Sequence, residues 1–233
     1  MHSATAGGGI DMSVAEERRE RLARMRLYLI TGDQGNEVET ARIVEAALEG
    51  GTTVVQLRKK SMPMGEQYRL ALALRILTRE HEALLIINDH ADLAIAADAD
   101  GVHLGQDDLP PAAVRALPGF EGRLLGRSTH SLAQAQLAVH EGADYVAVGP
   151  VYATPTKEGR PAVGTALVGR VAGVIDRPFV AVGGIDLDNV ATVVDAGAPA
   201  VAVVRAVYDA ADPAESARRL HEALVTRLTV SRR

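Results

Sequence analysis

The 233-residue sequence contains no cysteine and no tryptophan, and aromatic residues make up only 3% of it. The absence of cysteine excludes disulfides, zinc–thiolate sites and a thiol nucleophile. A core with so few aromatic side chains must be built from Val, Ala, Leu and Ile, which is typical of strands that are buried on both faces. The hydrophobic content of 47% and the charged content of 24% are those of an ordinary globular domain.

Two further features are missing: an excess of positive charge and a long apolar run. The formal net charge is −5, so the chain has no electrostatic footprint for nucleic acid or for an anionic membrane surface. No stretch approaches the roughly 20 apolar residues of a membrane-spanning helix. Residues 1–10 also lack the apolar core of a signal peptide. We therefore expect a cytoplasmic protein with no nucleic-acid or membrane partner.

Short apolar runs alternate with amphipathic segments along nearly the whole chain. The length fits one large domain, and eight strand–helix repeats predict a single α/β domain of the (β/α)8 TIM-barrel class, because an open doubly wound sheet needs fewer strands. The predicted strands are Leu27–Thr31, Thr53–Leu57, Leu84–Ile87, Gly101–Leu104, Leu124–Gly126, Tyr145–Val148, Phe179–Val182 and Ala200–Val204. The predicted helices are Val38–Glu49, Gly65–His81, Asp92–Ala97, Pro111–Ala116, Leu132–Glu141, Leu167–Val174, Leu187–Ala196 and Pro213–Leu228.

A short extension precedes the first strand. Ser13 and Glu16 have the spacing of a capping box, which predicts a charged helix over Val14–Arg24. A partly ordered tail is the alternative for this segment. We expect residues 1–12 to be disordered and residues 13–230 to form the barrel domain, the N-terminal helix included.

Barrels of this kind carry their catalytic residues at the carboxyl ends of the strands. One of the predicted strand ends is cationic. Gln56, Arg58 and Lys60 alternate along the second strand, so an extended backbone places them on one face. A guanidinium and an ammonium on one face can clamp an anion. The alternative is a solvated strand end, but polar residues facing a barrel centre are costly without a ligand.

Two aspartates follow neighbouring strands. Asp89 ends the third strand and Asp108 follows the fourth, so their carboxylates can meet at the barrel mouth. Two carboxylates together with phosphate oxygens of a ligand are a usual way of holding Mg²⁺. Each aspartate has an alternative interpretation as a helix cap: Asn88 or Asp89 before the fourth helix, and Asp107 or Asp108 before the helix at Pro110.

Two loops have the character of phosphate sites. Gly149 and Pro150 end the sixth strand, and the loop Thr154–Lys157 then presents two hydroxyls and an ammonium. Gly183–Gly184, after the seventh strand, allows the backbone to approach an anion closely. Ser128 is a weaker candidate ligand-binding residue. Ser131 is most simply a helix cap, and His130 a histidine with a structural partner.

These motifs, in this order, resemble those of the thiamine-phosphate synthases over residues 26–210. The resemblance rests on Leu27–Thr31, Gln56–Lys60, Asn88–Asp89, His103–Asp108, Gly149–Pro150 with Thr154–Lys157, and Gly183–Ile185. It implies an enzyme, a transferase of thiamine biosynthesis. Such an enzyme joins 4-amino-2-methyl-5-hydroxymethylpyrimidine diphosphate to 4-methyl-5-hydroxyethylthiazole phosphate, giving thiamine phosphate and pyrophosphate. The pyrophosphate leaves in a Mg²⁺-assisted dissociative step, and the thiazole nitrogen then attacks.

The resemblance also implies a role for each site residue. The pyrimidine diphosphate would be bound by Gln56, Leu57, Arg58, Lys59, Lys60, Asn88, Ser128 and Lys157. The thiazole phosphate would be bound by Thr154, Pro155, Thr156, Gly183, Gly184, Val204 and Arg205. The metal ligands of Mg²⁺ would be Asp89 and Asp108, and the catalytic groups would be Arg58, Lys60, Lys157 and Ser128.

The sequence departs from the family pattern at Arg205, where a small hydroxyl residue is usual, and at Arg127, where an apolar residue is usual. Arg205 bears on the thiazole-phosphate site, whereas Arg127 is interpreted as a surface exchange. Two alternative functions remain: a thiazole tautomerase-like barrel that would use a proton-shuttling residue such as His130, and a non-catalytic sensor of a phosphorylated ligand. The partners expected are two small phosphorylated substrates, with a homo-oligomer possible.

Overall fold

The fold is a closed barrel of eight parallel strands. A computed structural model describes residues 13–154 and 161–230. Each strand pairs with the next along the chain, and β8 returns to pair with β1. The strands are β1 (Leu27–Ile30), β2 (Val54–Leu57), β3 (Leu84–Asn88), β4 (Gly101–Leu104), β5 (Leu124–Thr129), β6 (Tyr145–Val148), β7 (Phe179–Val182) and β8 (Val201–Val203). The predicted (β/α)8 class is confirmed.

Helices separate the strands and cover the barrel. They are α1 (Val14–Ala23), α2 (Glu37–Glu49), α3 (Met64–Glu80), α4 (Ala91–Ala96), α5 (Pro111–Arg115), α6 (Leu132–His140), α7 (Gly164–Ala172), α8 (Val190–Asp195), α9 (Arg205–Tyr208) and α10 (Pro213–Val230). None of the helices in the described ranges is long and apolar enough to cross a membrane.

Two of the differences from the sequence-based prediction concern elements that reach the barrel mouth. β5 does not end at Gly126 but continues to Thr129, because Gly126 pairs with Tyr145 in the ladder and the polar residues after it stay buried. The helix α9 was not predicted: Arg205 is its first residue, and β8 ends before it at Val203. A four-residue helix is too short to show apolar periodicity in a sequence.

Side chains of the strands form two separate apolar layers. Outward residues such as Val55, Leu57 and Leu85 pack against the surrounding helices. Inward residues such as Val54, Ile86 and Val180 fill the barrel interior. This alternation follows from the two-residue period of a strand, and it determines which residues can reach the mouth of the barrel.

The N-terminal helix α1 closes the lower end of the barrel. Its capping box is formed as expected: the Ser13 hydroxyl accepts from the backbone N–H of Glu16, and the Glu16 carboxylate accepts from the N–H of Ser13. Leu22 and Met25 are buried in the interior layer. Because α1 supplies apolar side chains to that layer, the segment is an ordered part of the barrel and not a tail.

A buried ion pair attaches α1 to the barrel. The side chain of Arg18 is only 10% exposed, and its Nε donates to Asp100 Oδ1 at 3.0 Å. Asp100 also accepts from Arg75 at 2.7 Å and from the backbone N–H of Leu85. Arg18 additionally donates to the Gly122 carbonyl at 3.3 Å. One helix is thus tied through charge-assisted bonds to residues that flank β3, β4 and β5.

We expect Arg18→Ala to lower the free energy of unfolding by about 2 kcal/mol, because hydrogen bonds to a buried carboxylate are lost while Asp100 keeps Arg75. Urea unfolding followed by circular dichroism measures this change. Arg19→Ala is the matched control, because Arg19 is 59% exposed and lies 3.9 Å from its nearest carboxylate. Equal stability of the two variants would show that the Arg18 contacts contribute nothing.

Candidate functional site

A cavity of about 360 Å³ opens at the carboxyl ends of the strands. Its wall is apolar on the side of β7 and β8 and polar on the side of β2 to β5. Its floor carries hydroxyl, amide and imidazole groups. The lining residues are Tyr28, Ile30, Gln56, Arg58, Asn88, His103, Ser128, Ala147, Pro150, Thr154, Val180, Val182, Gly183, Gly184, Ile185, Asp186, Ala202, Val203, Val204, Arg205 and Ala206.

The cationic strand end of β2 reaches this cavity. Gln56 and Arg58 both line it, as their shared strand face requires. The Arg58 guanidinium donates to Asp33 Oδ2 at 3.0 Å, which fixes its position at the mouth. The Lys60 ammonium lies 3.4 Å from Asp89 Oδ2 and is 57% exposed. Each of these two cations therefore lies beside a carboxylate, and Arg58 is the one that lines the cavity.

Lys59 and Leu57 point the opposite way. Leu57 is buried in the outer apolar layer. The Lys59 side chain is also buried, and its ammonium donates to the carbonyls of Gln34 and Gly35 and to the Tyr208 hydroxyl. Burial lowers the pKa of Lys59. Neither residue is among those that line the cavity, because outward positions alternate with inward ones. Their assignment to the pyrimidine diphosphate stays a prediction.

Asp89 and Asp108 form a carboxylate pair at the mouth. The pKa of Asp89 is raised by burial and by the neighbouring Asp108 carboxyl, and Lys60 offsets only part of this rise. Asp89 also has a left-handed backbone, with φ of 63°, which a residue other than glycine adopts only at a cost in free energy. The fold thus holds two carboxylates close together, and it holds the backbone of Asp89 in a conformation that a residue other than glycine does not favour.

The helix-cap interpretation of these aspartates is not what the structure contains. α4 begins after His90 and α5 after Pro110, and neither helix has a side-chain cap. The Asp108 carboxylate instead accepts from the backbone N–H of Gly105 at 2.6 Å, within its own loop. Ser131, by contrast, caps α6 as predicted, accepting from Gln134.

The Gly183–Gly184 turn faces the cation side across the cavity. Both residues have positive φ, 104° and 65°. A Cβ atom at Gly183 would lie 2.5 Å from the Cβ of Pro150, and one at Gly184 would lie 2.8 Å from the Cβ of Tyr152. Only glycine fits here, because the turn packs directly on the chain that follows β6. Thr154 lines the cavity beside it, whereas Pro155, Thr156 and Lys157 lie outside the described residues.

The end of β8 completes this side of the cavity. Val204 and Arg205 both line it. Arg205 is exposed and begins α9, so it does not continue the strand as expected. The same short helix contributes Tyr208, which accepts a hydrogen bond from the Lys59 ammonium at 2.9 Å. Lys59 thereby links the loop before α2 to the segment that carries Arg205.

Residues of β5 divide between the cavity and a neighbouring loop. Ser128 lines the cavity, and its hydroxyl lies 2.9 Å from His103 Nε2. Arg127 was interpreted as a surface exchange, but it is buried and donates to the carbonyls of Gln106 and Leu109, both at 3.4 Å. That loop carries Asp108, so Arg127 supports the carboxylate pair. His130 bonds to the Gly149 carbonyl and is not among the lining residues.

Three functional side chains were missed by the sequence reasoning. Asp33 supports the cationic strand end, since it accepts from Arg58 and from the Lys60 backbone N–H, the latter at 2.7 Å. Tyr28 and Tyr145 are buried in the floor of the barrel. Asp33 was treated only as part of a turn. For the tyrosines the sequence offered one signal: each stands in a predicted strand, the first or the sixth, where aliphatic residues are otherwise usual.

The fold and the site define a (β/α)8-barrel protein with a cavity at the carboxyl ends of its strands. Comparison with known proteins gives the family: residues 27–207 match the family described as thiamine monophosphate synthase (TMP-TENI). The chain belongs to this family.

Individual relatives agree with this assignment. A thiamine-phosphate synthase of Gloeobacter violaceus is 51% identical over 210 residues, which are 90% of this chain and 58% of the relative. A thiamine-phosphate synthase of Streptomyces avermitilis is 46% identical over 211 residues, covering 88% of this chain and 98% of the relative. The chain thus spans little more than half the length of the first relative and nearly the whole of the second.

A solved structure shows the same fold with related sequence. The thiamine phosphate pyrophosphorylase of Pyrococcus furiosus superimposes with a TM-score of 0.81 at 34% identity, covering 90% of this chain and 98% of the other. The 3-hexulose-6-phosphate synthase structure, at 18% identity and a TM-score of 0.66, shares the fold alone.

We expect Lys59→Met to loosen the loop before α2, because the carbonyls of Gln34 and Gly35 lose a charged donor. Hydrogen–deuterium exchange of residues 33–36 should be faster in this variant than in the wild-type protein. Lys60→Met is the control, since Lys60 is largely exposed and bonds to neither carbonyl. Unchanged exchange in Lys59→Met would mean that the ammonium does not hold the loop.

Proposed function

We propose that this protein is a thiamine-phosphate synthase that condenses 4-amino-2-methyl-5-hydroxymethylpyrimidine diphosphate with 4-methyl-5-hydroxyethylthiazole phosphate. The observation that carries the proposal is the arrangement of one cavity between two anion-binding sides. Arg58, Lys60 and the carboxylate pair stand on one side, and the Gly183–Gly184 turn stands on the other. Membership of the synthase family supports the same activity.

The cation side suits the pyrimidine diphosphate. Arg58 can present two donors to phosphate oxygens, and Lys60 adds a point charge nearby. Gln56, Asn88 and Ser128 line the same wall and would bind polar atoms of the ring or of the diphosphate. Lys157, which lies outside the described residues, is assigned to this substrate by the family resemblance alone.

The glycine side suits the thiazole phosphate. The Gly183–Gly184 turn has no side chains to obstruct an anion, and Thr154 adds a hydroxyl. Val204 and Arg205 line the cavity on the same side as the turn. Pro155 and Thr156 stay predictions for this site. The guanidinium of Arg205, exposed at the rim, is a second donor available to the same phosphate.

The carboxylate pair fits Mg²⁺. Burial and the neighbouring Asp108 carboxyl raise the pKa of Asp89, and a cation between the two carboxylates would stabilise their charged forms. No group of three or more His, Cys, Asp or Glu side chains able to hold a metal occurs within residues 13–154 and 161–230. The remaining ligands would then be phosphate oxygens and water, as Mg²⁺ prefers. When bound, the ion would supply positive charge beside the diphosphate.

The residues of the chain would promote the reaction mainly by electrostatics and exclusion of water. The bond between the methylene carbon and the diphosphate oxygen breaks, and pyrophosphate leaves with the electron pair. Arg58 and Lys60 would stabilise the charge that develops on it. The thiazole nitrogen then attacks the methylene cation with its lone pair, so no general base is needed. The apolar wall of Val180, Val182 and Ala202 would keep water from that cation.

The alternatives are less compatible with the site. The proton-shuttling residue expected for a tautomerase was His130, which bonds to the Gly149 carbonyl and is not among the lining residues. A sensor of one phosphorylated ligand gives no reason for two anion-binding sides and a carboxylate pair. The cytoplasmic location, a homo-oligomer and the domain limits at residues 12 and 230 stay predictions.

Mixing the two substrates with Mg²⁺ should release one pyrophosphate for each thiamine phosphate formed, which a coupled phosphate assay and chromatography measure. Arg58→Gln should slow this reaction by about a hundredfold, because a donor to the leaving group is lost. Arg69→Gln, an exposed exchange on α3, should not. A tautomerase or a sensor would release no pyrophosphate at all.

The carboxylate pair can be tested without turnover. MgCl₂ with inorganic pyrophosphate should raise the thermal midpoint of the wild-type protein, because a ligand that binds the folded state stabilises it. Asp108→Asn should lose most of this increase, whereas Asp92→Asn, an exposed exchange on α4, should keep it. A full increase in Asp108→Asn would remove Asp108 from the metal site.

A further inference from the structure

A continuous chain of hydrogen bonds crosses the interior of the barrel beneath the cavity. Gln56 Nε2 donates to the Tyr28 hydroxyl at 2.7 Å, and the hydroxyls of Tyr28 and Tyr145 are 3.0 Å apart. The Tyr145 hydroxyl is 3.1 Å from His103 Nδ1, and His103 Nε2 is 2.9 Å from Ser128 Oγ. Five strands, β1, β2, β4, β5 and β6, each contribute one member.

The middle of the chain is fully buried. Tyr28 is 1% exposed and Tyr145 is 0% exposed, and burial raises the pKa of both phenols. Both hydroxyls therefore keep their protons and can donate. The Tyr145 ring occupies space that only glycine leaves open, because a Cβ atom at Gly126 would lie 2.2 Å from Tyr145 Cζ. The barrel is shaped around this tyrosine.

The donor–acceptor direction of the hydrogen bond from Gln56 to Tyr28 determines the direction of the other hydrogen bonds in the chain. A phenol has one proton to donate. Since Tyr28 accepts from Gln56, its own proton is satisfied by donating to Tyr145, and the Tyr145 proton by donating to His103 Nδ1. His103 then carries its proton on Nε2 and donates to Ser128. With Gln56 Nε2 as the donor to Tyr28, the reverse sense would leave the Tyr28 proton without an acceptor among these five side chains, which costs free energy.

The two ends of the chain face the cavity. Ser128 Oγ accepts from His103 and so has its own proton to donate to a bound ligand. Gln56 uses its amide nitrogen for Tyr28 and presents its carbonyl oxygen as an acceptor. The floor thus offers one donor and one acceptor at fixed positions, the donor on β5 and the acceptor on β2. A single hydroxyl without such a neighbour would rotate between the two roles.

We propose that Tyr28 and Tyr145 are positioning residues that hold His103 in its Nε2–H tautomer and so orient the Ser128 hydroxyl to donate into the cavity. The tautomer is a property of the protein alone, whereas the effect on catalysis rests on the proposed function. The pair acts through His103 and touches no reacting atom.

The tautomer is tested by ¹⁵N NMR of the full chain labelled at histidine, with His103→Gln used to assign the His103 signals. We expect a protonated Nε2 and a non-protonated Nδ1 in the wild-type protein. In Tyr145→Phe the ring is kept but the donor to Nδ1 is lost, so the two ¹⁵N shifts of His103 should move toward those of a tautomer mixture. Tyr68→Phe, an exchange on the exposed face of α3, should leave them unchanged.

The catalytic consequence is tested with the same variants. Tyr145→Phe should lower kcat/KM for the pyrimidine diphosphate by about tenfold, the effect of losing one oriented hydrogen bond. The KM for the thiazole phosphate should not change, which separates a local effect from a general loss of structure. Tyr28→Phe, which interrupts the chain one bond further from His103, should show the same pattern.

Three outcomes would overturn the proposal. A wild-type His103 protonated at Nδ1 would mean that the chain runs in the opposite sense. Unchanged His103 shifts in Tyr145→Phe would mean that the phenol does not set the tautomer. Moved shifts with unchanged kinetics would reject the orientation of Ser128. A wild-type protein with the expected tautomer but no pyrophosphate release would reject the proposed function and leave the tautomer assignment standing.

Discussion

Closure of the sheet by pairing of β1 with β8 is the constraint on which the rest of the structure depends. Every strand then has two hydrogen-bonded neighbours, so no edge remains and residues must point alternately into the barrel and toward the helices. The interior is narrow and is filled from below by Leu22 of α1 and by Met25, which follows that helix. Only the upper layer is left open, and all functional side chains of the described strands are drawn from that layer.

Alternation gives neighbouring residues of one strand two different tasks. On β2, Arg58 reaches the cavity while Lys59 secures the loop before α2. On β5, Ser128 reaches the cavity while Arg127 secures the loop that carries Asp108. In both cases a buried cation donates to carbonyls of a neighbouring loop and so holds that loop. The loops around the site are therefore held by the same strand ends that supply its ligand-binding groups.

The parts of this arrangement that follow from local pattern could be predicted from the sequence. Eight apolar runs separated by segments of helical periodicity predict the barrel. The polar residues that follow those runs indicate which side chains surround its mouth. The face that each residue takes at a strand end is harder to predict, because the strand period applies only while the strand lasts. Arg205 shows this, because α9 already begins there. Lys59 was grouped with Arg58 through the family resemblance, although the alternation places the two residues on opposite faces.

The chain of hydrogen bonds in the floor could not be predicted from the sequence, because its members are far apart along the polypeptide. Tyr28 and Tyr145 are separated by 117 positions, and no local pattern indicates that they meet. Buried polar groups destabilise a fold unless each has a partner, and here each bond satisfies the next. An apolar floor would pack equally well but would leave Gln56 and Ser128 free to rotate. The polar floor is therefore best understood as the support that fixes two ligand-facing groups, since stability alone gives no reason for it.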